Sequence, residues 1–179
     1  MHNDIKRILY SEEQLKERVK ELAAQIRHDM QGQEILTVGV LRGAVMFYAD
    51  LVRELDIPIH MNFMSVSSYG SSSVSSGAVR IQYDLEEDIA GRNVLIIEDI
   101  VDSGLTLSYL TKTLRSRNPA MLKTCCLFDK PERRKVQFEA DYVGFTVPDV
   151  FIVGYGLDYA EKYRNLKYIG ELKPEVYER

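Results

Sequence analysis

Residues 93–99, "NVLIIED", set a continuous aliphatic run directly against two acids. Four aliphatics in a row suit a strand buried on both faces, the pattern of a central strand in a parallel sheet. Parallel neighbours need crossover connections, and the flanking segments supply them. "YSEEQLKERVKELAAQIRHDM" (10–30) puts Leu15, Val19, Leu22, Ile26 and Met30 on one helical face behind a Ser11/Gln14 capping box, with Gly32 as its stop. "EILTVGVL" (34–41) predicts a strand, "GAVMFYADLVREL" (43–55) a helix ended before Pro58, and "PIHMNFMSVSS" (58–68) another strand. "AVRIQYDL" (78–85) predicts a strand with Val79, Ile81 and Tyr83 on one face. "GLTLSYLTKTLRSR" (104–117) predicts a helix with Leu107, Leu110 and Leu114 on one side. "AMLKTCCLFDK" (120–130) is a further strand, and 142–165 holds one or two more. The alternation predicts an α/β fold with a mainly parallel sheet. No repeat, linker or second-domain boundary interrupts it, so 1–179 is expected to be one domain.

Between two of these strands, "SYGSSSVSSG" (68–77) is Ser/Gly-rich, cannot bury itself and is expected to be a mobile loop. Hydrophobic residues make up 45% of the chain, enough for a core, and the net charge of -4 argues against a nucleic-acid surface as its main purpose. The basic clusters are "KPERRK" (130–135) and "RSR" (115–117), which leave room for a local basic pocket. No stretch is long and apolar enough to span a bilayer, and the start, "MHNDIKRILYSEEQL", has no apolar signal core. A cytoplasmic protein is expected. Cys125 and Cys126 are adjacent, so on a strand they point to opposite faces and cannot pair; they read as reduced core residues. His2, His28 and His60 form no constellation.

In an open parallel sheet, ligands bind beyond the carboxyl ends of the strands. The "VLIIED" strand delivers Glu98 and Asp99 to that edge. The following "DSGLT" starts a helix, whose free N–H groups and dipole favour an anion; Ser103 and Thr106 add hydroxyls, and Gly104 admits close approach of a phosphate. The acids suit sugar hydroxyls or Mg²⁺. A phosphorylated sugar satisfies both surfaces. The plain alternative is a solvated helix cap with Asp102 as the N-cap.

"VLIIEDIVDSGLT" (94–106) resembles the phosphoribosyl-pyrophosphate (PRPP) motif of type I phosphoribosyltransferases. "VGVLRGAVMFYADLVREL", "CLFDKPERRK", "PDVFIVGYGLDYAEKYRNL" and "IGELKPEVY" are similar to the bacterial hypoxanthine(-guanine) phosphoribosyltransferases, across almost the whole chain. The resemblance implies a type I phosphoribosyltransferase fold, with a small hood drawn from the N-terminal segment and 150–179, and a lid at 68–77. It implies Mg²⁺-dependent purine salvage: PRPP and a 6-oxopurine give IMP or GMP and pyrophosphate. Asp102 is then the acceptor for the purine N7 proton or a hydrogen-bond partner to it, and two neighbouring carboxylates are expected to raise its pKa. Glu98 and Asp99 hold the ribose hydroxyls or Mg²⁺, and Ser103, Gly104, Leu105 and Thr106 form the 5-phosphate turn. Arg42 and Gly43 contact pyrophosphate through the backbone, with a cis peptide common at this loop in the family; Arg164 is a second pyrophosphate contact. Many relatives carry Lys where Arg42 stands, and position 105 varies, so the Leu105 side chain carries no phosphate charge. Lys130 donates to O6, Phe151 stacks on the purine, the Ile152 backbone meets the base edge, and Asp158 lies near the purine and a second Mg²⁺. Ser68 and Tyr69 match the lid dipeptide. Taken singly, each of these residues also has a plain reading as surface, core or turn.

Two alternatives stand beside this enzyme. One is a PRPP-binding regulator of nucleic acid on the same fold; the acidic charge disfavours it. The other is a xanthine-preferring enzyme, since Lys130 disfavours adenine but not xanthine. A homodimer or homotetramer is implied, with helix 43–55 as a candidate interface.

Overall fold

A computed structural model describes residues 2–68 and 79–178. Six strands form the main sheet, in the order β4-β3-β2-β5-β6-β7. They are β2 (Ile35–Leu41), β3 (Ile59–Ser68), β4 (Val79–Tyr83), β5 (Asn93–Val101), β6 (Met121–Asp129) and β7 (Tyr142–Thr146). All neighbours run parallel except β4, which lies antiparallel on the edge beside β3.

Helices α1 (Glu12–Met30) and α2 (Val45–Glu54) cover one face and α3 (Leu105–Arg115) the other. The double coverage explains the aliphatic run. Leu95 and Ile97 pack towards α1 and α2, while Val94 and Ile96 pack towards α3. Cys125 and Cys126 divide the same way, both free and buried, and burial pushes both thiols up. The Ser11/Gln14 capping box is present at the start of α1. Its far end differs from the sequence reading: Gln31 itself adopts the left-handed conformation, one residue before Gly32.

Tyr83 is a second difference. It is exposed, and its hydroxyl donates to Glu86. Between Ser65↔Tyr83 and Val66↔Ile81, β4 advances two residues for one of β3. The bulge breaks the two-residue period, so Tyr83 leaves the face that Val79 and Ile81 share.

Strand β5 is also longer than its aliphatic run, so Glu98 and Asp99 lie inside it rather than ending it. Its pairing with β2 stops at Gly39↔Ile97, but its pairing with β6 continues to Val101↔Asp129. From Glu98 onward one side of β5 faces an open cleft. The chain leaves β2 towards β3 on one side and re-enters at β5 on the other, so this cleft is the switch point of an open α/β sheet, where ligands bind.

A second sheet is built from the segments named for the hood, the N-terminal one and 150–179, although its pairing was not read from the sequence. β1 (Ile5–Tyr10), β9 (Ile169–Leu172) and β8 (Ile152–Val153) pair antiparallel in the order β1-β9-β8. A four-residue helix α4 (Pro174–Tyr177) follows. β8 falls within 142–165, where further strands were expected; β1 and β9 are short runs that periodicity did not single out.

Candidate active site

The cleft begins with β2. The Leu41–Arg42 peptide is cis, and Gly43 follows. A Cβ at Gly43 would sit 1.7 Å from Asp99 Oδ2, so the loop and the acidic strand touch backbone to carboxylate. On its other side, the Gly43 carbonyl faces Gly156 across a gap equally closed to a side chain. Arg42 points away: its Nη2 donates to Glu161 Oε1 at 2.9 Å, and the side chain is largely exposed.

Glu98 is only 7% exposed. Its Oε1 accepts from the Asp99 N–H at 3.1 Å, and Asp99 Oδ1 accepts from the Ile100 N–H at 2.7 Å. Burial raises both carboxyls, Glu98 well above its ordinary value, and the charge of Asp99 adds to the shift on Glu98. The Arg164 charge, among other contacts, partly offsets the rise at Asp99. The acids that burial raises are therefore these two. Asp102 turns from them towards a cation: its Oδ1 lies 2.7 Å from Nε of Arg133, a residue that also pairs with Asp149 through Nη1 at 3.1 Å.

Folding that raises the pKa of Glu98 leaves its proton on in the folded chain at a pH where the unfolded chain has lost it. That component of stability is present below the ordinary value of 4.5 and falls as pH rises through the raised value. Glu98→Gln removes it. The urea midpoint of the ligand-free variant should pull progressively above that of wild type as pH climbs from about 4.5, then level off. A difference that stays flat with pH would show that Glu98 is not desolvated as described.

The turn after β5 forms as its sequence dictates. Gly104 takes φ 80° and is the N-cap of α3, the role the plain reading gave to Asp102. Ser103 Oγ accepts from the Leu105 N–H at 3.3 Å. Glu98, Asp99, Asp102, Ser103, Gly104 and Thr106 line one cavity of about 340 Å³, with Gly43, Asp158 and Arg164 opposite. The Leu105 side chain is not part of that lining. Arg164 donates to the Gly156 carbonyl at 2.8 Å and pairs with Asp158 Oδ1 at 2.8 Å, while its buried Nε has no partner.

A second cavity of about 400 Å³ adjoins the first. Lys130, Phe151, Ile152, Asp158 and Asp102 line it. Lys130 is only 7% exposed, which rules out a solvated loop lysine; its Nζ donates to the Val150 carbonyl at 2.6 Å and keeps two donors free for other acceptors. Burial lowers its pKa, and the charges of Asp102 and Asp149 act against that. Phe151 stacks on Tyr177, ring centroids 4.9 Å apart. The two cavities share Ile100, Asp102 and Asp158.

Fourteen of the sixteen residues singled out from sequence are thus described, and all but Arg42 and Leu105 line one cavity or both. Tyr69 and 70–77 lie outside the described residues, as does the side chain of Ser68, which ends β3. Sequence reasoning missed Arg133, Asp149, Leu157, Glu171 and Tyr177 in the second cavity. All five lie in segments that carried the family resemblance: Arg133 in "KPERRK", Asp149 and Leu157 in "PDVFIVGYGLDYAEKYRNL", Glu171 and Tyr177 in "IGELKPEVY".

A family model described as "phosphoribosyl transferase domain" matches residues 7–160. The chain is 55% identical over 178 residues to a hypoxanthine-guanine phosphoribosyltransferase of Bacillus subtilis, covering 99% of each. It is 52% identical to one of Mycobacterium bovis, covering 98% of this chain and 90% of that protein. A crystal structure of a hypoxanthine phosphoribosyltransferase from Staphylococcus aureus superposes with a TM-score of 0.95 at 50% identity, over 99% of this chain and 96% of the other.

Proposed function

Because the chain belongs to the phosphoribosyl transferase family, on its hypoxanthine-guanine phosphoribosyltransferase branch, we propose that it moves the 5-phosphoribosyl group of PRPP to N9 of hypoxanthine and guanine. The products are IMP or GMP and pyrophosphate. The observation that carries this reading is the pair of cavities meeting at Asp102, one walled by a phosphate-type turn and buried acids, the other by a buried lysine and an aromatic.

Cleaving the ribose–pyrophosphate bond builds positive charge on the ribose and negative charge on the leaving group, so positioning and electrostatics dominate. The 103–106 turn receives the 5-phosphate on the open N-terminus of α3. Glu98 and Asp99 accept from the ribose hydroxyls. The Gly43 backbone and Arg164 face the pyrophosphate. Phe151 covers the base, Lys130 donates to O6, and Asp102 takes the N7 proton. Glu98 and Asp99 offer oxygen donors to Mg²⁺, which typically binds through one or two carboxylates plus substrate phosphates. Bound there, the ion neutralises the two buried acids and phosphate charge. Asp158 is a weaker candidate ligand, because Arg164 already occupies Oδ1.

The run "KPERRK" offers no stripe for nucleic acid: Lys130, Arg133 and Arg134 all turn to partners within the protein. Among the described residues no helix is long and apolar enough to cross a membrane. We read the protein as a cytoplasmic homo-oligomer, a dimer or tetramer; outward-facing Val45 and Met46 on α2 supply apolar surface.

Steady-state kinetics with hypoxanthine, guanine, xanthine and adenine test the reading. Hypoxanthine and guanine should turn over and adenine should not, because its amino group cannot accept from Lys130. A preference for xanthine would move the chain to the runner-up substrate, and no turnover with any base would refute transferase function. Lys130→Ala should cost about 10- to 100-fold in kcat/KM for the 6-oxopurines. The KM for PRPP should stay near wild type; equal losses on both substrates would remove Lys130 from base recognition.

A further inference from the structure

Arg134 takes no part in either cavity, yet its guanidinium joins the two segments that carry Asp102 and Lys130. Nη1 donates to the carbonyls of Val101 at 3.1 Å and Asp102 at 2.8 Å. Nε donates to the Phe138 carbonyl at 3.0 Å, and Nη2 pairs with Asp129, the residue before Lys130. The side chain is 17% exposed. Its stem also packs on the phosphate turn, since a Cβ at Gly104 would stand 3.1 Å from Arg134 Cδ.

Two backbone contacts join the same segments. The Lys130 N–H donates to Val101, and the Lys135 N–H to Ser103, each at 2.9 Å. The Asp102 carbonyl lies between them, where β5 has run past its β2 neighbour and lost that ladder. Among the described residues, Arg134 is the donor that reaches it. A planar guanidinium serves several divergent acceptors from one rigid fork; an ammonium is a single point.

We propose that Arg134 is a positioning residue for phosphoribosyl transfer: its guanidinium locks the turn carrying Asp102 to the loop carrying Lys130, fixing the spacing of the two side chains that face the base. The inference rests on the transfer reading above. Neither residue it positions depends on Arg134 for its charge; both depend on it for place. Misplacement by about 1 Å is enough to cost about 10²-fold in rate.

The test uses the full chain with Arg134→Lys and Arg134→Ala. Arg134→Lys should fold, lower kcat with hypoxanthine by about tenfold or more, and hold the KM for PRPP within about threefold. Amide hydrogen exchange at 101–106 should quicken while that of the α1 core stays as in wild type. Free guanidinium should restore part of the lost kcat in Arg134→Ala. If Arg134→Ala does not fold, Asp129→Asn, which leaves the fork but removes its anchoring charge, should give a smaller loss of the same kind. A kcat for Arg134→Lys within about twofold of wild type, or unchanged exchange at 101–106, overturns the proposal. So does a drop in stability in which kcat per folded enzyme is preserved. Wild-type turnover in the same assay tests the transfer reading separately. Its absence sinks that reading, while the exchange result still decides whether Arg134 holds the turn.

Discussion

Asp102→Asn should lower turnover by about 10²- to 10⁴-fold while PRPP binding, measured by calorimetry, stays within about threefold of wild type. The substitution keeps the shape of the side chain and removes its capacity to take a proton. Asp102 stands where the two cavities join, so it can reach the base without contributing to the phosphate turn beyond its backbone. Its carboxylate faces Arg133 in the ligand-free chain, with Oδ1 2.7 Å from Nε. The asparagine amide can still meet Arg133 through its oxygen, so the turn should survive. Turnover within about threefold of wild type would refute the general-base role. A parallel loss of PRPP affinity would instead mean that the carboxylate acts on the sugar-phosphate side.

The other large effect is expected at Gly43. Gly43→Ala should reduce kcat/KM for PRPP by about 10²-fold or more, with the melting temperature falling as well. An added methyl carbon would sit 1.7 Å from the Asp99 carboxylate, far inside contact distance. The loop has nowhere to retreat, because its own carbonyl is pressed against Gly156, itself at φ 102°. Relief must come from Asp99, whose N–H donates to its buried neighbour Glu98. The methyl thus disturbs both buried acids and the Gly43 backbone, the groups proposed to meet the ribose and the pyrophosphate. A near-normal KM for PRPP would show that this close approach is dispensable.

The central layers of the fold were legible because both-face burial imposes a simple composition. Val94–Ile97 needed only to be aliphatic, and they fall alternately to the two helical layers. The edges were less legible. Tyr83 was misplaced by a bulge, which depends on the strand alongside and leaves no mark on β4 itself. The pairing of the small sheet escaped because β1 and β9 meet across about 160 positions, so no local pattern announces it. At the site, chemistry by residue type could indicate a sugar phosphate, but the base-facing residues needed the family resemblance. Lys130 illustrates why: a lysine before a proline reads as solvated until folding buries it under Val150. The supposed acid cluster was also divided by folding. Glu98 and Asp99 share one desolvated site, while Asp102, three positions on, belongs to a cation-lined one.

The order of strands in the small sheet has a consequence for biosynthesis. β9 is its middle strand, so β1 and β8, both made before it, have no partner until residues 169–172 emerge. The main sheet has no such wait, since each parallel strand finds its neighbour among segments already made, from β2 to β7. Domains assemble in the order their contacts become available during translation. The nascent chain therefore completes its phosphate turn first. The wall bearing Phe151 and Ile152, braced by Tyr177, closes only after residues 169–177 have emerged.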